Sequence, residues 1–398
     1  YKSNMDIVNA HTCHSNTDTA LTDIIKQLKS EHDDYDLLIV YFNTDHNVSL
    51  ISQSLLKYFS GPIALSSSFQ GALGINKIEA DAKAQIVVFG ISDPSGSYGV
   101  GIADVSSDNP RTAAQDALTQ AISTSANPYE TPALIWTIMP LGQEEELIQG
   151  FADIVGPNVP VFGGSSADND VSGQWQQGSH TDNGTSSVVV VTLQPSHAIG
   201  YSYSSGYEPT DTTIIAQGCS ERVVAKFDGQ TAAKRYNELT EGAIEHAILG
   251  GNVLGNSTLF PLGRAIPNTI GIPEYLLSHP DSVTTKGELT LFSHIDEGQE
   301  LTLMIGSVEG LVQRATVVAN NAMDLLPEGS ECAGILMIYC GGCMLTIGDN
   351  VTQMQTVLAS SLPNIPICAA YTFGEQGAFL DGQNRHGNLM ISAVAFAR

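Results

Sequence analysis

The chain predicts a mixed α/β (α+β) fold in two pseudo-repeated domains, each a mixed sheet flanked by helices. Two observations carry that prediction. The phrase Pro157-Asn-Val-Pro-Val-Phe-Gly-Gly164 returns as Pro363-Asn-Ile-Pro-Ile-Cys-Ala-Ala370. Each copy follows an amphipathic segment and, before that, an apolar run, residues 133–139 in the first copy and 334–339 in the second. This order describes a strand–helix–strand unit used twice. The second observation is size, since 398 residues with 42% hydrophobic content can bury more than one core. The domains are expected over 1–225 and 226–398. A third, looser copy runs through residues 37–42, 48–59 and 62–68. Each copy ends in small residues after a short apolar strand, where backbone or a ligand can approach closely, so a site is sought first at those ends.

Taken in order, the N-terminal half alternates strand-like runs (7–10, 37–42, 63–65, 85–89, 100–105) with helix-like segments at 18–28 and 111–123. Two apolar runs between 186 and 203 flank Gln194-Pro195-Ser196, which predicts an antiparallel pair. The domain joint is expected near 218–229. A helix is expected over 231–249, with Ala232, Ala233, Tyr236, Leu239, Ala243 and Ala247 on one face. Residues 252–280 are rich in Gly, Pro and Asn and read as a long loop. Strand-like stretches at 286–293 and 300–306 then flank the polar turn Asp296-Glu-Gly298. No low-complexity tract or heptad run argues for a filament.

Forty-two acidic side chains against 16 basic ones give a formal charge of −26, which opposes nonspecific binding to nucleic acid or an anionic membrane. At 15% charged residues, with the acids scattered, this is not the composition of a disordered acidic tail. No run approaches the roughly 20 apolar residues of a membrane span, and the opening Tyr1-Lys-Ser-Asn-Met-Asp has no signal-peptide core, so a cytoplasmic protein is expected. Six cysteines are too few for a disulfide framework in a chain of this length, and reduced thiols are expected.

Several segments could carry chemistry, and each has a plainer alternative. Gly163, Gly164, Ser165 and Ser166 end a strand and precede Asp168 and Asp170. Backbone amides there could receive an anion, or the segment could be a tight loop. Glu375 follows Tyr371 and is the only charge between 365 and 379, so it must be paired, hydrogen-bonded or turned to a ligand. Cys340-Gly-Gly-Cys343 has thioredoxin-like spacing, but a helix start near Asp349 would lie too far on, leaving a structural turn, a redox switch or a metal site open. His11-Thr-Cys-His14 offers three ligand types that an extended chain would split between faces. His246, on the expected helix, and His386, before the last strand, could each reach a haem iron from an apolar wall, or be ordinary structural histidines. No Ser-His-Asp order, nucleophile elbow or HExxH is present, so nothing argues for catalysis.

The phrases PVFGGSSADND, MIYCGGCMLTIGD, PICAAYTFGEQGAF and RHGNLMISAVAF resemble those of FIST proteins, with an N-terminal half over about 20–220 and a C-terminal half over about 230–390. The resemblance implies a sensory input module that binds a small ligand, and the sequence leaves a homodimer open. Length, the GGSSADND phrase and the HGNLM ending further resemble the bacterial nitric-oxide-sensing FIST haemoproteins. That closer likeness implies ferrous haem b held by a histidine, His386 or His246, and control of a separate histidine kinase. The alternative is a haem-free receptor for an amino acid or similar metabolite, with Glu375 pairing an amine and Gly163, Gly164 and Ser165 receiving a carboxylate.

Overall fold

In the computed structural model, which describes residues 5–398, the strand–helix–strand unit is present three times, and the looser N-terminal copy is a full member. In each unit two strands pair in parallel across their helix: Leu37–Phe42 with Ile63–Ser67, Leu134–Met139 with Val161–Ser165, and Cys332–Cys340 with Ile367–Thr372. The opening tetrapeptide of the signal-peptide reading lies outside the described residues.

Each parallel pair is the centre of a six-stranded sheet, and each sheet is completed by a hairpin lent by another unit. The hairpin that follows Ile63–Ser67, Ala72–Ile75 with Ala80–Ala84, joins the sheet of Ile367–Thr372. The strands after Val161–Ser165 join the sheet of Ile63–Ser67, and Glu375–Ala378 with Asn384–Gly387 joins that of Val161–Ser165. The exchange runs in one direction around three units. The two predicted halves are therefore interlaced rather than separate, because Ile367–Thr372 draws a hairpin from the first quarter of the chain.

Period-two burial explains the layering. In Leu37–Phe42, Leu37, Ile39 and Tyr41 face a core shared by all three sheets, while Leu38, Val40 and Phe42 pack under the helices Thr17–Glu31 and Val48–Leu56. Within the shared core Trp136 donates to the Tyr41 hydroxyl at 2.9 Å, tying two sheets together. The helices Pro110–Thr124 and Glu144–Val155 cover the second sheet in the same way.

Residues 208–305 form a separate nine-stranded sheet with its own core around Phe227 and Tyr236. Three expectations change here. The helix expected over 231–249 ends at Leu239, because Glu241 and Gly242 adopt φ of 57° and 92°, and only a short 3-10 turn, Glu245–Ala247, follows. The stretch expected to be a long loop contains the strands Leu262–Ile266, Glu274–Ser278 and Pro280–Val283. The two apolar runs either side of Gln194 do not pair with each other: Ser187–Gln194 lies in the second sheet, and Ile199–Ser205 pairs with Met390–Ala397. Among the described residues no helix is long and apolar enough to cross a membrane.

Candidate functional site

The three unit ends converge and close on one another. Phe69 donates its amide to the Tyr371 carbonyl at 3.0 Å, Phe373 to Ser165 at 3.1 Å, and Ala167 to Ser67 at 3.4 Å. The Ser66 and Ser166 hydroxyls meet at 2.9 Å, and the Tyr371 amide donates to Ser68 Oγ at 2.8 Å. The sequence-named Gly163, Gly164, Ser165, Ser166, Tyr371 and Glu375 are thus brought together. Their backbone groups, however, are already used. Gly163 and Gly164 pair with Gln376 and Glu375, Ser165 donates to Gly374 at 2.8 Å, and Ser166 donates to Met139 at 2.9 Å. A Cβ on Gly164 would stand 2.5 Å from the Thr372 methyl, so glycine is required by close packing. The expected carboxylate-receiving role for these amides is corrected, since folding uses the donors in the sheet.

Glu375 is also not positioned to pair an amine. It is fully buried, accepts from the Thr372 hydroxyl and the Met390 amide at 2.8 Å each, and faces Glu144 across the core. Burial pushes its carboxyl up to about 8, so it is protonated at neutral pH. It lines a small apolar cavity of about 50 Å³ with Cys340, Thr372 and Phe373.

A more polar cleft of about 280 Å³ lies where the helix Glu144–Val155, the strand Asn384–Gly387 and the nine-stranded sheet meet. Three glutamates open the helix, where the exposed amides favour negative charge. Glu144 turns inward, accepting from the Gly142 amide and pairing with Arg222 and His386 at 3.2 Å each. Glu145 accepts from Arg222 at 2.7 Å and from the His294 amide at 2.8 Å. Burial raises the Glu145 carboxyl, but the charges of His386, Arg222 and His294 and that amide bond outweigh it and hold the group down at about 2. Arg264 enters from the facing strand with Asp296 as its ion-pair partner at 3.7 Å, and burial lowers its pKa. No hydrogen bond from its guanidinium to protein is present among the described residues.

The two histidines expected to hold haem differ. His386 is buried at the cleft edge, with its Nδ1 3.0 Å from the Gln376 side-chain amide. Its Nε2 stands between the Phe292 carbonyl at 3.1 Å and the Glu144 carboxylate. His246 is exposed on the short 3-10 turn, with Nε2 3.2 Å from the Asn252 carbonyl. Neither presents a free nitrogen to an apolar cavity, so the residues as folded do not fit axial ligation. His11 is buried while Cys13 and His14 are exposed, and no metal-ligand cluster occurs among the described residues. Sequence reasoning missed Glu145, Arg222, Arg264 and His294. The signal for Arg264 was available, because it is the only charge between 259 and 272, the same argument that singled out Glu375.

No curated protein matches the chain. Among solved structures, a cyanuric acid hydrolase from A. caulinodans is 10% identical, with a TM-score of 0.29 over 57% of this chain and 83% of that one. Another, described as "Cyanuric acid hydrolase: evolutionary innovation by structural concatenation", is 8% identical, with a TM-score of 0.36 over 99% and 100%. Likenesses at this level carry no argument for fold or activity. Residues 36–230 match the FIST N domain and residues 232–378 the FIST C domain, both signal-transduction sensor domains that bind small ligands. The chain, its three sheets closed by exchanged hairpins and its polar cleft formed where both matched segments meet, belongs to the FIST family.

Proposed function

We propose that this FIST protein is a signal-input receptor for an amino acid or a similar small metabolite bearing a carboxylate. The ligand sits in the cleft bounded by Glu145, Arg264 and His294, and a separate signalling protein such as a histidine kinase reads its occupancy. The observation that carries the reading is Arg264, a guanidinium in a part-buried cleft with one distant carboxylate partner. Such a fork is suited to a bidentate carboxylate, and Glu145 on the opposite wall supplies the charge that an ammonium group would meet. At about 280 Å³ the cleft has the size of a metabolite. Because the nine-stranded sheet contributes Arg264 while the three-sheet body contributes Glu145 and His386, a ligand bridging them changes the relation of two separately cored parts. Haem b and nitric oxide, which the resemblance brought forward, find no comparable support, since His386 would have to leave Gln376, Phe292 and Glu144 to reach an iron.

A thermal-shift screen of the twenty amino acids and common dicarboxylates tests the proposal. Stabilisation by at least one compound is expected, and a ligand at about 100 times its Kd adds about 2.7 kcal/mol. Arg264→Ala should abolish the shift while leaving the unliganded melting curve close to the wild type's. A flat response across the panel would overturn the proposal.

A further inference from the structure

The small apolar cavity beneath the converging unit ends lies outside the ligand cleft, and Cys340, paired with the buried Cys343, lines it. Reduced thiols were expected, but Cys340 and Cys343 form a disulfide with Cα atoms 5.2 Å apart, inside the range that a disulfide spans without backbone movement. The helix expected near Asp349 is present as Val351–Ser361, but a short helix, Gly341–Ile347, precedes it, with Cys340 as its N-cap and the Cys343 amide donating to Cys340 Sγ at 3.1 Å. Cys340 is the register neighbour of Thr372 in the parallel ladder, and the Thr372 hydroxyl donates to the Glu375 carboxyl at 2.8 Å. Cys340, Thr372 and Glu375 all line the cavity. Val171 and Leu345 line it as well and are 42% and 52% exposed, so part of its lining meets solvent.

We propose that Cys340 and Cys343 are a thiol–disulfide exchange site for small thiols that enter this cavity, with Glu375 as its proton shuttle. The inference stands apart from the metabolite cleft and survives the failure of that reading. A thiolate RS⁻, its proton released to solvent, attacks Cys340 Sγ. The Cys340–Cys343 bond breaks, a Cys340–S–S–R bond forms, and the Cys343 sulfur leaves with the electron pair and takes the proton held by the neutral Glu375 carboxyl. A second RSH gives its proton to the Glu375 carboxylate as its sulfur attacks the R sulfur of the mixed disulfide, RSSR departs, and the Cys340 sulfur leaves with the electron pair and takes a proton from solvent. Two thiols are oxidised, the cysteine pair gains two electrons and two protons, and Glu375 returns to its protonated starting state. Burial supports the role, because a carboxyl held at about 8 exchanges protons with thiols at little cost near neutral pH. The cavity, at about 50 Å³, admits a few heavy atoms, which points to small thiols rather than peptides.

The native full chain is equilibrated in mixtures of 2-mercaptoethanol and its disulfide, quenched in acid and alkylated, and the peptide bearing both cysteines is read by mass spectrometry. Two alkyl groups should appear together on that peptide in one transition that added oxidant reverses, with the far-UV circular dichroism unchanged. Glu375→Gln should slow the approach to equilibrium about ten-fold or more while leaving the midpoint in place, a split that a merely structural role would not produce. Cys343→Ser leaves Cys340 as a free thiol, which should be captured as a mixed disulfide by 2-hydroxyethyl disulfide. Modification of the pair only after unfolding in urea, an exchange rate in Glu375→Gln within about two-fold of wild type, or a Cys343→Ser protein that stays uncaptured would each overturn the proposal.

Discussion

Replacing Glu375 by glutamine should change how stability depends on pH, and the structure sets both sign and size. The carboxyl titrates at about 8 when folded against an ordinary 4.5, so above pH 4.5 the folded state holds a proton that the unfolded chain has released. Folding then binds a proton, and stability falls as pH rises from about 4.5 until the folded carboxyl ionises near 8. One pH unit is worth about 1.4 kcal/mol for a single group, so the interval from pH 5 to 7.5 costs the wild type about 3 kcal/mol. No reduction for solvent applies, since the side chain is fully buried. The substituted side chain is uncharged throughout, and its amide retains an acceptor for the Met390 N–H and a donor for the Thr372 hydroxyl. Urea denaturation of both proteins at pH 5, 6, 7 and 7.5, followed by tryptophan fluorescence, isolates this group, because every other titration cancels in the difference. The variant should gain about 3 kcal/mol relative to wild type across that range. Parallel profiles would refute the reasoning, since they would mean that Glu375 is ionised and stabilised in the core.

Glu145 gives the opposite slope. Its folded carboxyl is depressed, so its contribution is complete above about pH 4.5 and is lost as pH falls toward 2. The wild type should lose about 2 kcal/mol more than Glu145→Gln over that range in acid titrations followed by circular dichroism, a figure reduced because a quarter of the side chain meets solvent. In the shared core, Trp136→Phe removes the donor to Tyr41 and leaves a buried hydroxyl without it, at a cost of about 1 to 3 kcal/mol. Trp136→Phe combined with Tyr41→Phe should recover part of that loss in a double-mutant cycle by urea denaturation.

The elements legible in the sequence were those whose pattern is local. Leu37–Phe42, Leu134–Met139 and Cys332–Cys340 are apolar on both faces because each is buried on both faces, and that composition shows without any knowledge of partners. The same locality explains the failures. The runs either side of Gln194 look like a hairpin, yet Ile199–Ser205 finds its partner at the far end of the chain, a pairing that the local pattern of apolar residues does not display. The exchanged hairpins are hidden for the same reason, since a strand's own residues set its faces but not which edge it joins.

The candidate sites separate along a related line. Glu375 stood out as a lone charge among apolar neighbours, and burial is what the structure reports for it. Its assignment as an amine partner failed because a sequence shows that a carboxyl is isolated without showing that a neighbouring hydroxyl and amide have already satisfied it. Arg264 carried the same signature within 259–272 and was passed over because those residues read as loop. A lone charge in an apolar stretch thus identifies a group that folding must deal with. Whether it becomes a satisfied core group, like Glu375, or remains available in a cleft, like Arg264, depends on contacts with residues distant in sequence, Met390 in the first case and Asp296 in the second.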